Sequence, residues 1–187
     1  MLKHIITNHL NYEVKSFKEY LNNILIKEEH YNNKGELHGM YRTWHENGQP
    51  KEEAKYKNNK REGLSRKWHD NGQLSEEYQF KYGNPYGTYH IWHDNGQLKE
   101  EATYKNNCQL HGSYREWFEN GQLFNEATYK KGVRDGLFYM WHENGQLRMQ
   151  CTFKGGQLHG VRTLWDENGN QRSQDTFIHG LPMNENI

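Results

Sequence analysis

Residues 87–105 read GTYHIWHDNGQLKEEATYK: a glycine, an aromatic-rich run ending near Trp92, an Asn-Gly pair, and a second run that closes on Tyr104. The same phrase recurs along the chain. Tryptophans stand at Trp44, Trp68, Trp92, Trp117, Trp141 and Trp165, spaced 24, 24, 25, 24 and 24 residues apart. Five residues before each lies a glycine (Gly39, Gly63, Gly87, Gly112, Gly136, Gly160), and twelve after each stands Tyr56, Phe80, Tyr104, Tyr129, Phe153 or Phe177. A fixed period of this size marks a repeat architecture, in which one unit cannot bury its apolar side alone and stacks on its neighbours. The single 25-residue step comes from one extra residue in YKNNCQLHG, between Tyr104 and Gly112, a connection where added length costs little.

Asn-Gly between two alternating runs is a strong hairpin signal, because both central residues of a two-residue type I′ turn take positive φ. The spacing therefore predicts structural turns at Asn47-Gly48, Asn71-Gly72, Asn95-Gly96, Asn120-Gly121 and Asn144-Gly145, with Asn168-Gly169 in the last unit. Such a turn also fixes which residues face each other, and facing residues should change together from unit to unit. They do. Arg42 meets Glu53, Arg66 Glu77, His90 Glu101 and Arg115 Glu126; where the first strand carries Tyr139 or Thr163 the partner becomes Gln150 or Gln174. In the neighbouring register Tyr41, Tyr89 and Tyr114 meet Ala54, Ala102 and Ala127, while Ser65 meets Tyr78, Phe138 Cys151 and Arg162 Asp175. Each cross-strand pair contributes only about 0.2–1 kcal/mol, but a slip of one residue would break them all at once.

This register predicts two faces. One carries the tryptophans and the Arg/Glu pairs, with Lys51, Lys99, Arg148 and Arg172 opposite Trp44, Trp92, Trp141 and Trp165 as cations over indole. The other carries Leu74, Leu98, Leu123 and Leu147, the large-small pairs and the closing aromatics. The expected fold is all-β: an elongated single-layer antiparallel meander of about six 24-residue hairpin repeats, with about 12 to 14 strands. Residues 1–24 form an N-terminal cap or degenerate repeat, 25–180 the array, and 181–187 a tail. Val14, Phe17, Leu21 and Ile24 fit a helical stripe as well as a strand, which leaves a capping helix and a capping strand both open.

Composition narrows the function. The mean hydropathy of -1.26 and 33% hydrophobic content are low, yet 14% of residues are aromatic, too many for a disordered chain. Lys+Arg and Asp+Glu balance at 24 each, so no net field draws in nucleic acid, and membrane lipid gains little support. Cys108 and Cys151 occupy unmatched positions, arguing against a disulfide framework; with no signal-like or membrane-spanning run, a cytoplasmic location is expected.

Histidines follow four of the tryptophans (His45, His69, His93, His142). Equivalent residues of successive hairpins lie ~9–10 Å apart, too far to share a metal, so these are expected to be polar residues flanking turns. His38, His111, His159 and His179 precede glycine and are assigned to the opposite connections. Glu53, Glu77, Glu101 and Glu126 each have a cross-strand Arg or His, so structural ion pairs are expected in place of catalysis. We expect no catalytic residues, metal or cofactor.

The unit, G-x4-W-[HF]-[DE]-NGQL-x2-E-A-x-Y-K, resembles the MORN repeat variant of YwqK-like, MORN-repeat-containing proteins, over about residues 25 to 180. The resemblance implies a β-hairpin array acting as a scaffold, an accessory domain or a membrane-associated module; YwqK-like chains are often described as antitoxins. The expected function is a non-enzymatic scaffold that binds another protein through an extended sheet face, with the six tryptophans as its strip. An antitoxin or immunity-like protein and a phospholipid-surface module are the alternatives.

Overall fold

The computed structural model describes residues 1–8, 14–105 and 108–183, and these divide into two units, Met1–Gly96 and Gln97–Ile187. The first unit holds β1 (Leu2–Asn8), β2 (Val14–Leu21), β3 (Ile24–Asn32), β4 (Leu37–Trp44), β5 (Pro50–Lys57), β6 (Lys60–Trp68), β7 (Leu74–Lys81), β8 (Asn84–Pro85) and β9 (Gly87–Trp92). The second holds β10 (Leu98–Lys105), β11 (Gln109–Trp117), β12 (Leu123–Lys130), β13 (Val133–Trp141), β14 (Leu147–Lys154), β15 (Gln157–Leu158), β16 (Gly160–Trp165), β17 (Gln171–Ile178) and β18 (Leu181–Pro182). Within each unit the long strands pair antiparallel in chain order, an open meander.

The strands outnumber the 12 to 14 expected for three reasons. The N-terminal segment contributes strands, β1 pairing with β2, and no helix forms among the described residues. Short β8 and β15 are the separated beginnings of β9 and β16, pairing with the same neighbours β7 and β14. Finally Leu181 and Pro182, assigned to a tail, pair with Ile178 and Phe177. The extra residue between Tyr104 and Gly112 falls on a connection that includes residues 106–107, outside those described.

The facing pairs predicted within a unit are present: Arg42 with Glu53, Tyr41 with Ala54, Arg66 with Glu77, Ser65 with Tyr78, Arg115 with Glu126, Phe138 with Cys151 and Arg162 with Asp175. The turns that produce them differ from expectation. His45 N donates to Gln49 O at 2.9 Å and Gly48 N donates to His45 O at 2.9 Å, enclosing a three-residue loop in which only Gly48 has positive φ. This is a type I turn followed by a left-handed glycine. The odd loop is reconciled with the register by a bulge between Thr43 and Trp44, which leaves Lys51 unpaired and sets Trp44 against Pro50.

Two-residue turns with both φ positive do occur: at the Asn-Gly end between β2 and β3, Asn22-Asn23, and at the opposite end of the hairpins, Asn58-Asn59, Tyr82-Gly83, Lys131-Gly132, Gly155-Gly156 and His179-Gly180. His38 and His111, assigned to connections there, lie instead inside β4 and β11.

Candidate functional site

Because the bulge recurs, Trp68 pairs with Leu74, Trp117 with Leu123, Trp141 with Leu147 and Trp165 with Gln171. Directly paired residues share a face. The leucines therefore join the tryptophans, and the cations predicted opposite indole, Lys51 and Arg148 and Arg172 among them, are displaced into the bulge. The rest of this face is a charged row. In the first unit it runs Lys18, Glu28, Arg42, Glu53, Arg66, Glu77, His90, one residue per strand and alternating in sign. Lys18 lies 3.2 Å from Glu28, Arg42 lies 3.3 Å from Glu28 and 2.8 Å from Glu53, and Arg66 lies 2.8 Å from Glu77. Burial pushes the Glu28 carboxyl up, but hydrogen bonds from Lys18 and Arg42 outweigh it and hold the group below its ordinary range. The corresponding row of the second unit begins Glu101, Arg115, Glu126 and then turns neutral through Tyr139, Gln150, Thr163 and Gln174. The tryptophans are half-buried, with His90 against Trp92 at 5.5 Å and Tyr139 against Trp141 at 5.8 Å between ring centroids.

The opposite face closes on itself. Ala54, Ser65, Ala102, Ala127, Phe138 and Cys151 are buried there, and Tyr114, Tyr129 and Phe153 pack against the cluster of Ala127, Phe138 and Cys151. Tyr41 packs on Tyr56 at 5.8 Å, Tyr78 stacks on Tyr89 at 5.0 Å, and Phe138 meets Phe153 edge-on at 5.8 Å. Tyr56, Phe80, Tyr129, Phe153 and Phe177 each pair with a glycine of positive φ, namely Gly39, Gly63, Gly112, Gly136 and Gly160. Here lie the cation-aromatic contacts: Arg134 is 4.8 Å from the Phe138 ring and 5.5 Å from that of Phe153, Arg61 is 5.4 Å from Phe80, and Arg162 is 4.8 Å from Phe177. Arg61 also bonds Glu52 and the Tyr56 hydroxyl. Near the first unit's start a buried carboxylate, Glu29, is held by Lys27 at 2.8 Å and by the Tyr31 hydroxyl at 2.8 Å; burial and that bond push the Tyr31 hydroxyl up to about 12.

A third arrangement joins successive turns. Asn47 Oδ1 accepts from Gln49 N at 2.9 Å, and Asn47 Nδ2 donates to Asp70 O in the next turn at 2.6 Å. Asn71 repeats this toward Asp94, Asn120 toward Glu143 and Asn144 toward Glu167. The histidines after tryptophan do the same two residues earlier: Nε2 of His45, His69 and His142 lies 3.0–3.1 Å from the carbonyl of Trp68, Trp92 and Trp165, and since a carbonyl only accepts, Nε2 carries the proton. A glutamine completes the set, resting on the glycine of the next turn: a Cβ on Gly72 would stand 2.9 Å from Gln49 Oε1, and one on Gly145 2.6 Å from Gln122 Oε1. Sequence reasoning missed this ladder. Its signal was present in the last unit, where Asp166 replaces the histidine and Asn170 the glutamine.

Five consecutive segments, 37–58, 61–82, 85–106, 110–131 and 134–154, match the model of the MORN repeat variant, together more than half of the chain. The chain belongs to the MORN repeat variant family. MORN repeats form a non-enzymatic repeat family whose members commonly serve as protein- or membrane-interaction modules. No curated protein matches the chain. Among solved structures it is similar to an alternansucrase in complex with isomaltononaose, at 14% identity over 88% of this chain, with a TM-score of 0.15. The chain spans 20% of that protein's length, and a likeness of this size carries no argument. No group of His, Cys, Asp and Glu that could hold a metal forms among the described residues, and no helix there is long and apolar enough to cross a membrane.

Proposed function

We propose that this MORN chain is a non-enzymatic scaffold that binds another protein through the face bearing Trp44, Trp68, Trp92, Trp117, Trp141 and Trp165. The contrast between faces carries this reading. The closed face spends its aromatic rings on its own glycines, alanines and arginines, whereas the tryptophans keep part of each indole open beside leucine and a row of paired charges. Half-open aromatics rimmed by Arg and Glu suit a protein surface, which meets indole with apolar area and the rim with hydrogen bonds. A charge row that alternates in sign offers no cationic patch to an anionic bilayer.

The test is affinity capture from the native cell, with the intact chain and with a Trp117→Ala, Trp141→Ala variant, both checked by circular dichroism. A partner protein captured by the folded parent and lost from the folded variant supports the proposal. Capture unchanged by the substitutions sinks it, as does binding to anionic vesicles with no protein retained. A captured toxin would make the scaffold an antitoxin.

A further inference from the structure

We infer that Asn168 is a modification site, the Glu-Asn-Gly asparagine that converts first to aspartate and isoaspartate in the folded protein. The tripeptide Glu-Asn-Gly occurs at 46–48, 119–121, 143–145 and 167–169, so four chemically matched sites stand in one molecule. All four asparagines are exposed, and all four following glycines have positive φ. Exposure and backbone therefore do not separate them.

Side-chain bonding does. At Asn47, Asn120 and Asn144 the amide is held twice: Oδ1 accepts from the backbone N–H two residues on at 2.9–3.0 Å, and Nδ2 donates to a carbonyl of the next turn at 2.6–3.1 Å. At the fourth turn Asp166 replaces histidine or phenylalanine, and its carboxylate takes the N–H of Asn168 at 3.0 Å and that of Asn170 at 2.8 Å. The N–H that would hold Asn168 Oδ1 is thereby occupied. No further turn of this kind follows among the described residues to receive Nδ2, and the Asn168 side chain has no hydrogen-bond partner among them.

The reaction needs only water. The Gly169 backbone nitrogen attacks Asn168 Cγ; the N–Cγ bond forms, the Cγ–Nδ2 bond breaks, and ammonia departs with the proton from Gly169 N. Water then opens the resulting five-membered imide at one of its two carbonyls, giving aspartate or isoaspartate. In every one of these turns the glycine N–H must first leave its carbonyl, at 2.9–3.0 Å, so that step is common. Rotating Cγ toward the nitrogen further requires Asn47, Asn120 and Asn144 to surrender two side-chain bonds, each slowing the reaction by about 2- to 10-fold. Asn168 surrenders none.

The experiment incubates the full chain at neutral pH and follows deamidation at each site by peptide mass spectrometry, folded and in concentrated urea. The expected result is conversion at Asn168 roughly 10-fold or more faster than at Asn47, Asn120 and Asn144 when folded, with the four sites converging in urea. Equal rates in the folded chain overturn the proposal. So does a difference that persists in urea, which would assign it to Asn170 following Gly169 in place of glutamine. Asp166→Ala, which frees the Asn170 N–H for Asn168 Oδ1, should slow conversion at Asn168; an unchanged rate in the folded variant refutes the assigned cause.

Discussion

Asn144→Asp isolates one rung of the turn ladder. Asparagine at 144 accepts from Gln146 N at 3.0 Å and donates from Nδ2 to Glu167 O at 2.8 Å. Aspartate has the same shape and keeps the acceptor, but it has no donor and sets a carboxylate oxygen against the Glu167 carbonyl. Losing the bond costs about 0.5–1.5 kcal/mol, and the repulsion left behind brings the expected loss to about 1–2 kcal/mol. Asn168→Asp is the control, since that side chain donates to nothing among the described residues; a surface change of this kind should stay within about 0.5 kcal/mol. Repeat arrays can lose all-or-none unfolding, so a urea midpoint alone is a blunt measure. Amide exchange is sharper. The Gly169 N–H, bonded to Asp166 O at 3.0 Å in the turn that Asn144 supports, should exchange about 5- to 30-fold faster in Asn144→Asp. Equal effects from the two substitutions, or none at 144, would show that the rung does not hold neighbouring turns together.

The Arg115→Glu, Glu126→Arg exchange should recover only part of what each single change loses, about 0.2–1 kcal/mol at these half-exposed positions, because Arg115 also lies 3.8 Å from Glu101 and a glutamate there would repel it; urea unfolding of the four chains decides, and a double variant as unstable as the summed singles refutes the pairing. Native alkylation should mark the exposed Cys108 and spare Cys151, whose thiol burial pushes up to about 11. Labelling of Cys151 in the folded chain at the rate of Cys108 would contradict that burial. The backbone N–H of Asn170, aided by its side-chain amide, by Asn168 N–H and by Arg172 at 3.1 Å, holds the Asp166 carboxyl below the ordinary range. A depressed carboxylate stabilises above its unfolded value and stops doing so as pH falls through the folded one, so the last turn should loosen only in that acid window. Amide shifts of Asn168 and Asn170 that titrate at the ordinary carboxylate value would refute this.

The register was legible because it is written twice, once in each partner of a pair. Arg42 with Glu53 and Tyr139 with Gln150 vary jointly, and no turn chemistry needs to be known to see it. The turn was misread because Asn-Gly suits both a two-residue loop and a three-residue loop that ends in left-handed glycine. The bulge at Lys51 absorbs the difference and leaves the distant pairs unchanged. That same bulge moved the leucines to the tryptophan face, an outcome that alternation along a strand does not reveal. The cations over aromatic rings were expected near indole and stand at Arg61, Arg134 and Arg162, since the bulge removes Lys51, Arg148 and Arg172 from their places opposite tryptophan. The Asn, His and Gln ladder acts between units, where pairing within a hairpin carries no information about it.

That ladder gives the chain a direction. Gly72, Gly96, Gly121, Gly145 and Gly169 each take a glutamine from the turn before, and Asn47, Asn71, Asn120 and Asn144 each offer an amide to the turn after, whereas nothing rests on Gly48, and Asp166 and Asn170 serve their own turn. A tandem duplication of one 24-residue unit between these two ends would meet matching donors and acceptors on both sides. A unit joined after residue 170 would meet the Asn168 amide but neither the histidine nor the glutamine, since Asp166 and Asn170 stand in their places. The gene can thus change the number of units by copying from the middle, and the row of tryptophans would lengthen one residue at a time, while both terminal turns stay as they are.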